Sequence, residues 1–330
     1  MIRETVAELA VPSQAVRAGV ADLPRELAAH DAYLASLPGM NRVEVGGTAD
    51  VAPLGFPLNV AAWNLERCLF PEASAEKLRV TGAQLVLLSE LDNGMSRTAQ
   101  RHPTADIAAM LGMAYAYGVE FLELGLGSDT EREFCRDPQN ERGFHGNALM
   151  AATALSQPFM LRLPGERIWF ATATDQPRLG ERMAIGAVIA TTSGPFVAIS
   201  THLESVADSA YRAAQMRHII DRAEAAFPGL PILIGGDLNT GNNPGGHHAT
   251  EALFPDSIAR GFAVHGGPET QMTTRPSLIT RWPERAMKLD WFLSRGLDIA
   301  TSAIIPSTDP EGRVLSDHDL ITCTITGFSA

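Results

Sequence analysis

Polar residues stand at the ends of apolar runs throughout the chain, and their types converge on one kind of chemistry. LNVAAW ends in Asn64, QLVLLS in Glu90, FVAIST in His202, and PILIGG in Asp237 with Asn239 two residues on. Asp290 lies inside the hydrophobic stretch KLDWFL, and Ser316-Asp317-His318 precedes the final apolar run. Alone, any of these is an ordinary turn former or a satisfied polar group. If the run ends meet, they bring carboxylates, amides and imidazoles together. That set suits a hard, oxygen-seeking cation: Glu90 as direct ligand, with Asn64, Asp237 and Asp317 close by or bridging through water. Mg²⁺ (or Mn²⁺) fits, because Mg²⁺ takes few carboxylates and keeps several waters. No Cys-rich or His-x-x-x-His set is present, which disfavours structural zinc.

The same residues suit attack on a phosphate ester. A phosphate under attack gains negative charge, which a metal and cationic imidazoles stabilise while a carboxylate orients or deprotonates the water. Asp290 is costly in an apolar strand unless partnered. Its economical partner is His318, fixed at one ring nitrogen and facing the phosphate with the other.

The elements that must position these groups are legible from spacing. The first ~50 residues read as a helical extension, residues 1–50, separate from a main domain over 51–330. In LPRELAAHDAYLASLPG the residues Leu27, Leu34 and Leu37 fall at helical spacing and Pro38-Gly39 ends the run; GGTADVAPLGFP is a connector. Short strands then alternate with helices. LNVAAWN, QLVLLSE, IWFATATD, MAIGAVIATT, FVAISTHLE, PILIGGDLN, KLDWFLSR and DLITCTITGF read as strands. Ser74 is the expected cap of a helix over AEKLRVTGA, and Thr104 of a short helix stopping at Gly112. SAYRAAQMRHIIDRAEAAF reads as an amphipathic helix. Many strands with some helices and no Gly-rich nucleotide loop imply two packed sheets covered by helices.

Composition narrows the partners. The 330 residues carry a formal net charge of −12, with lysine only at positions 77 and 288. Such a chain is repelled by polyanions on average, so tight non-specific nucleic-acid binding is not expected. Cys68, Cys135 and Cys323 are odd in number and widely spaced, as in reduced thiols of a cytoplasmic protein. No apolar run reaches the ~18 residues of a membrane span, the charged start does not resemble a secretory signal, and no obligate protein partner is evident.

Taken in order, Trp63-Asn64, Leu88-Ser89-Glu90, Ser200-Thr201-His202-Leu203-Glu204-Ser205, Gly236-Asp237-Leu238-Asn239, Leu289-Asp290-Trp291-Phe292 and Ser316-Asp317-His318 resemble the endonuclease/exonuclease/phosphatase superfamily over about residues 58–328. The resemblance implies an α/β fold, a four-layer α-β-β-α sandwich with two central, largely antiparallel mixed sheets. It implies a divalent-metal-dependent hydrolase of phosphate esters, most readily a phosphodiesterase. Glu90 would hold the metal with Asn64 and Asp317; Asp237 would activate water with Asn239 alongside; His318, oriented by Asp290, would contact the phosphate. His202 would stabilise phosphoryl oxygens or assist the leaving group, Ser205 would touch phosphate, and Asn147 in His145-Gly146-Asn147-Ala148-Leu149 would contact substrate. A histidine at 202 is similar to the deoxyribonuclease-like subgroup, with the 5′-tyrosyl-DNA phosphodiesterases as the nearest hint. The superfamily's substrates run from small molecules and lipid headgroups to nucleic-acid ends. A phosphomonoesterase, or a catalytically silent binding protein of the same fold, stay open as alternatives.

Three stretches and one arginine depart from the pattern or stand outside it. Met150-Ala151-Ala152 follows the Gly-Asn segment where Ser-Arg and an aromatic are usual, which puts a substrate-contacting basic residue in doubt. The charged stretch 124–144 reads equally as a substrate-selecting loop and as an exposed insertion. His247 and His248 read as exposed loop residues, and Arg182 as either a phosphate contact or a surface charge.

Overall fold

Along the strand Leu58–Arg67 alternate side chains serve two different cores. Val60 and Ala62 join Leu87, Ala198, Leu233 and Phe292 in one apolar cluster. Ala61, Trp63 and Leu65 face the other way, into a cluster with Leu78 and Ile107 of two covering helices. The partner sheet repeats this: Phe196 and Ala198 enter the first cluster, while Val197 and Ile199 pack with Ile219 and Ala223 of the helix Ser209–Ala226. The layers are therefore helix, sheet, sheet, helix, as the resemblance implies.

The computed structural model describes residues 1–172, 177–243, 246–281 and 286–329. Among these, one sheet has nine strands and the other six. Three of the strand pairings are parallel, Thr5–Val6 with Val43–Gly47, Leu58–Arg67 with Leu85–Asn93, and Gly194–His202 with Ile232–Asp237. The remaining pairings are antiparallel, so both sheets are mixed and the whole is largely antiparallel.

Several boundaries differ from the sequence reading. Ser74 and Thr104 are not caps: the helices Pro71–Val80 and Pro103–Leu111 start earlier, each with proline in the first turn, where its fixed φ is already helical. Gly112 does end the second helix, in the left-handed conformation at φ +66°. In IWFATATD, Ile168–Ala171 is a single helical turn, and 173–175 lie outside the described residues. The turn sends Phe170 into the core and leaves Trp169 facing a cavity. The first 50 residues contain the helices Gln14–Gly19 and Leu27–Ser36, but they also supply strands. Val43–Gly47 pairs with Ala114–Glu123, and Ile2 exchanges two backbone hydrogen bonds with Met160 of the other sheet. Leu34 and Leu37 are buried as their spacing implies, whereas Leu27 is exposed. Cys68, Cys135 and Cys323 form no disulfide. No helix among the described residues is long and apolar enough to cross a membrane.

Glu44 fastens this N-terminal segment. Its buried carboxylate accepts from Leu9 N at 3.0 Å and Tyr115 Oη at 3.0 Å, and meets His102 Nε2 at 2.6 Å. Burial opposes its charge, but the imidazole and these donors bring its pKa below the ordinary value. A depressed carboxylate stabilises the fold fully above the unfolded pKa, and that stabilisation is lost as pH falls through the folded pKa. Glu44→Gln is expected to cost about 2 kcal/mol at neutral pH, the scale of hydrogen bonds to a charged group. In thermal melts the gap between wild type and variant should shrink as pH falls below about 4. A gap independent of pH would show that the charge contributes nothing.

Candidate active site

Strand register builds the centre of the site. His202 ends one strand and lies opposite Asp237 on its parallel neighbour; Asp237 lies opposite Asp290 on the next, antiparallel strand. The facing sheet delivers Asn64 beside Ser89, just before Glu90. Both of its strands break register here: Glu66, Arg67 and Cys68 have φ of 43°, 77° and 63°, and Glu90 has φ 56°. Bulges re-aim side chains at strand ends. Each left-handed non-glycine residue costs of order 1–3 kcal/mol, which is tolerated where the surroundings over-determine it.

The residues singled out by sequence do meet. Asn64 Nδ2 donates to Glu90 Oε1 at 3.2 Å and to Asp237 Oδ2 at 3.1 Å, linking the two sheets. Asp237 Oδ2 lies 3.5 Å from His202 Nε2 and 3.6 Å from His318 Nε2. His318 Nδ1 is 2.8 Å from Asp290 Oδ2. The 316–318 loop is stitched in place: Ser316 Oγ donates to Asn64 O at 2.6 Å and Trp63 Nε1 to His318 O at 2.8 Å. Asn239 N donates to Asp237 Oδ1 at 2.9 Å, and its side chain holds Leu203 O.

These groups border a cavity of about 550 Å³. Glu90, His202, Asp237, Asn239, Asp317 and His318 line it, as does Ser205. Asn64 and Asp290 act behind the lining. Asn147 is fully buried beneath it, with Nδ2 on Glu120 Oε2 at 3.0 Å and Oδ1 accepting from Glu90 N at 3.4 Å, so its contacts are with the site's scaffold. Arg182 is not a surface charge: it is buried against Glu120 at 2.5 Å, lies 2.9 Å from His202 Nδ1, and donates to Ser205 Oγ at 3.0 Å. His248 is buried too, its ring tilted against Trp291 away from this cavity, while His247 is exposed as expected. The 124–144 stretch does reach the site, through Ser128, Thr130 and Glu131.

Sequence reasoning passed over Glu66, Arg67, Glu120, His145, Trp169 and Arg178. Arg67 Nε donates to Glu131 Oε1 at 2.8 Å and its Nη1 pairs with Glu90. His145 Nδ1 meets Asp92 Oδ1 at 3.0 Å, and that carboxylate is held by Arg97 through two 2.8 Å bonds.

The electrostatics separate the imidazoles. Burial opposes charge on both, but Asp290, Asp237 and Asp317 raise His318 well above the usual histidine range. Burial and the Arg182 guanidinium push His202 well below it. His318 is thus an imidazolium and His202 a neutral ring near neutral pH. Burial also opposes the charge of Glu90, yet Arg67 and the nearby histidines hold it well below the carboxylate range. Burial and the charge of Asp317 push Glu66 up to about 7. Burial and Asp290 push Asp237 up to about 6.

The donor set fits a hard divalent cation. Glu66, Glu90, Asp237 and Asp317 border one cavity, and the repulsion recorded at Glu66 marks an excess of negative charge that a cation would relieve. Donor atoms of Asp237, Asp290 and His318 lie within 4.8 Å of one another, with His318 Nδ1 and Asp290 Oδ2 bonded to each other.

A sequence model described as the Endonuclease/Exonuclease/phosphatase family matches residues 61–318. No curated protein sequence matches the chain. Among solved structures, an endonuclease/exonuclease/phosphatase from Beutenbergia cavernae DSM 12333 superposes with a TM-score of 0.60 at 17% identity, covering 83% of this chain and 72% of that one. The human Nocturnin catalytic domain with bound sulfate anion gives 0.57 at 16%, covering 87% and 97%. A humanized D. rerio TDP2 gives 0.52 at 17%, covering 81% and 98%. At these identities the three show a shared fold.

Proposed function

The chain belongs to the endonuclease/exonuclease/phosphatase family, and from that premise we propose that it is a divalent-metal-dependent phosphodiesterase. The observation that carries this reading is the junction at Asp237. One buried carboxylate oxygen is approached by Asn64 at 3.1 Å, His202 at 3.5 Å and His318 at 3.6 Å, with His318 backed by Asp290. Glu90, with Asn64 and Asp317, would hold Mg²⁺ or Mn²⁺, which when bound supplies positive charge to the phosphoryl oxygens.

The chain's own residues do the rest. Asp237 orients the attacking water and takes its proton, and Asn239 fixes the carboxylate through its backbone N–H. The His318 imidazolium, held by Asp290, donates to a phosphoryl oxygen, where negative charge develops. His202, neutral and braced by Arg182, faces the leaving-group side. Ser205, held by Arg182, receives the phosphate, and Asn147 acts through Glu90. No residue from 1 to 50 lines the cavity, so we assign that segment to folding and 51–330 to chemistry. A phosphomonoesterase would use the same groups, and the intact constellation argues against a silent binding protein.

Purified chain with Mg²⁺ or Mn²⁺ should be offered a bis-aryl phosphate, an aryl phosphate, a tyrosyl-linked oligonucleotide, plasmid and sphingomyelin. Metal-dependent turnover of the bis-aryl phosphate above the aryl phosphate is expected. Faster turnover of the monoester would favour the phosphomonoesterase, and no turnover of any ester would contradict the reading.

A further inference from the structure

The walls of the cavity away from Asp237 carry information about what the site accepts. Four arginines border it, Arg67, Arg178, Arg182 and Arg281. Each is already paired with a carboxylate of the chain. Arg67 pairs with Glu131 at 2.8 Å, Arg178 with Glu123 at 3.1 Å, Arg182 with Glu120 at 2.5 Å and Arg281 with Glu133 at 2.6 Å. Polyanion binding is driven by cations that neutralise successive phosphates and release counterions. Here the chain's own acids have taken that role, Asp317 adds a further carboxylate, and the whole protein stands at −12. Among the described residues, the positive character left to a ligand lies at the His318 end.

An ion pair also links two segments at the cavity. Segments 128–133 and 277–281 both contribute to its lining, and the Arg281–Glu133 pair joins them. The second segment is pinned from below, with Thr280 N donating to Glu66 Oε1 at 3.0 Å and Ser277 Oγ donating to the same oxygen at 2.5 Å. The volume of about 550 Å³ lies within the roughly 300–1,000 Å³ of small-ligand pockets. The lining also includes hydroxyl and amide side chains, Ser128, Thr130, Asn242 and Thr280, with Trp169 and Ile279 as apolar surfaces.

We propose that the substrate is a compact, hydroxyl-bearing phosphodiester with a single phosphate, such as a glycerol-type diester, and not a polynucleotide. This substrate class rests on the hydrolase reading above. It also assigns Glu133 a part in specificity, as the acid that cancels Arg281 at the cavity.

The test uses the full chain with Mn²⁺, glycerophosphoglycerol, and a short fluorescent single-stranded oligonucleotide. kcat/KM for glycerophosphoglycerol is expected to exceed that for the oligonucleotide by at least about 100-fold. Anisotropy should show oligonucleotide binding no tighter than the ~10⁻⁴ M end of non-specific affinities at physiological salt. Glu133→Gln and Glu133→Lys leave Arg281 uncompensated at an exposed position, where loss of an ion pair has little effect on folding. Both should tighten oligonucleotide binding several-fold and introduce a salt dependence, with the lysine variant the stronger. Oligonucleotide cleavage as efficient as that of the small diester, low-micromolar oligonucleotide binding by the wild type, or no response to either Glu133 change would overturn the proposal. If no ester is hydrolysed, the hydrolase reading fails separately. Calorimetry then decides the substrate class: glycerophosphoglycerol binding in preference to the oligonucleotide supports it, and the reverse order overturns it.

Discussion

A His318→Ala variant is expected to lose kcat by roughly 10²–10⁴-fold, the range of a positioned acid–base or electrostatic group. The expectation rests on the buried dyad His318 Nδ1–Asp290 Oδ2 at 2.8 Å, with Nε2 turned toward Asp237 and the cavity. Asp290 acts through the imidazole, so Asp290→Asn should cost less, and the double variant about as much as His318→Ala alone. Such non-additivity marks residues that work as a unit. The stability consequence has a defined sign. His318 is raised above its unfolded pKa, so its stabilisation is complete below about 6.5 and is lost only as pH rises through the folded value. Near neutral pH the alanine variant therefore melts lower, and Asp290, whose Oδ1 has no partner among the described residues, is left buried without its imidazole. Circular dichroism at the assay temperature separates that effect from catalysis. Additive losses, or near-normal kcat in a folded His318→Ala protein, would remove the dyad from the mechanism.

Glu90→Gln is expected to raise the metal concentration needed for half-maximal activity by at least the 10–100-fold typical of losing a supporting partner in a metal site. The glutamine keeps the shape of the side chain and its acceptor for Asn64 Nδ2, so folding in chelator should change little. What it loses is the charge that holds the cation, together with the partner of Arg67 on the other oxygen. Calorimetric titration with Mn²⁺ should show the same weakening without any substrate present. Equal Mn²⁺ affinity in the two proteins would place the cation away from Glu90.

The parts of the site legible in the sequence share one property: each polar residue interrupts or terminates an apolar run. Asn64, Glu90, His202, Asp237, Asp290 and His318 all do so, and strand register brings them together. The same clue was present at Glu120 and Glu123 in AYAYGVEFLE, both buried carboxylates inside an apolar strand, and they prove to be partners of Arg182 and Arg178. Arg182 could not be told from a surface charge because its neutralising acid lies 62 positions away. Arg67 was hidden by backbone conformation. It stands two residues past the last apolar position of a strand, and the left-handed run at 66–68 turns it into the cavity. The N-terminal strands were missed for a different reason. Thr5–Val6 and Val43–Gly47 are too short for their alternation to outweigh the helical spacing between them. Fold class, by contrast, needed only the count and spacing of long strands, which local boundary errors at Ser74 and Thr104 do not disturb.

The most direct measurement is aryl-alcohol release from a bis-aryl phosphate by chain dialysed exhaustively against chelator, followed in one cuvette as Mn²⁺ is added, with His318→Ala alongside. Wild type should be silent before the addition and turn over after it, while folded His318→Ala stays slow at every metal concentration. Full activity before any metal is added, or equal rates from the two proteins afterwards, would contradict a metal-dependent phosphodiesterase centred on Asp237 and His318.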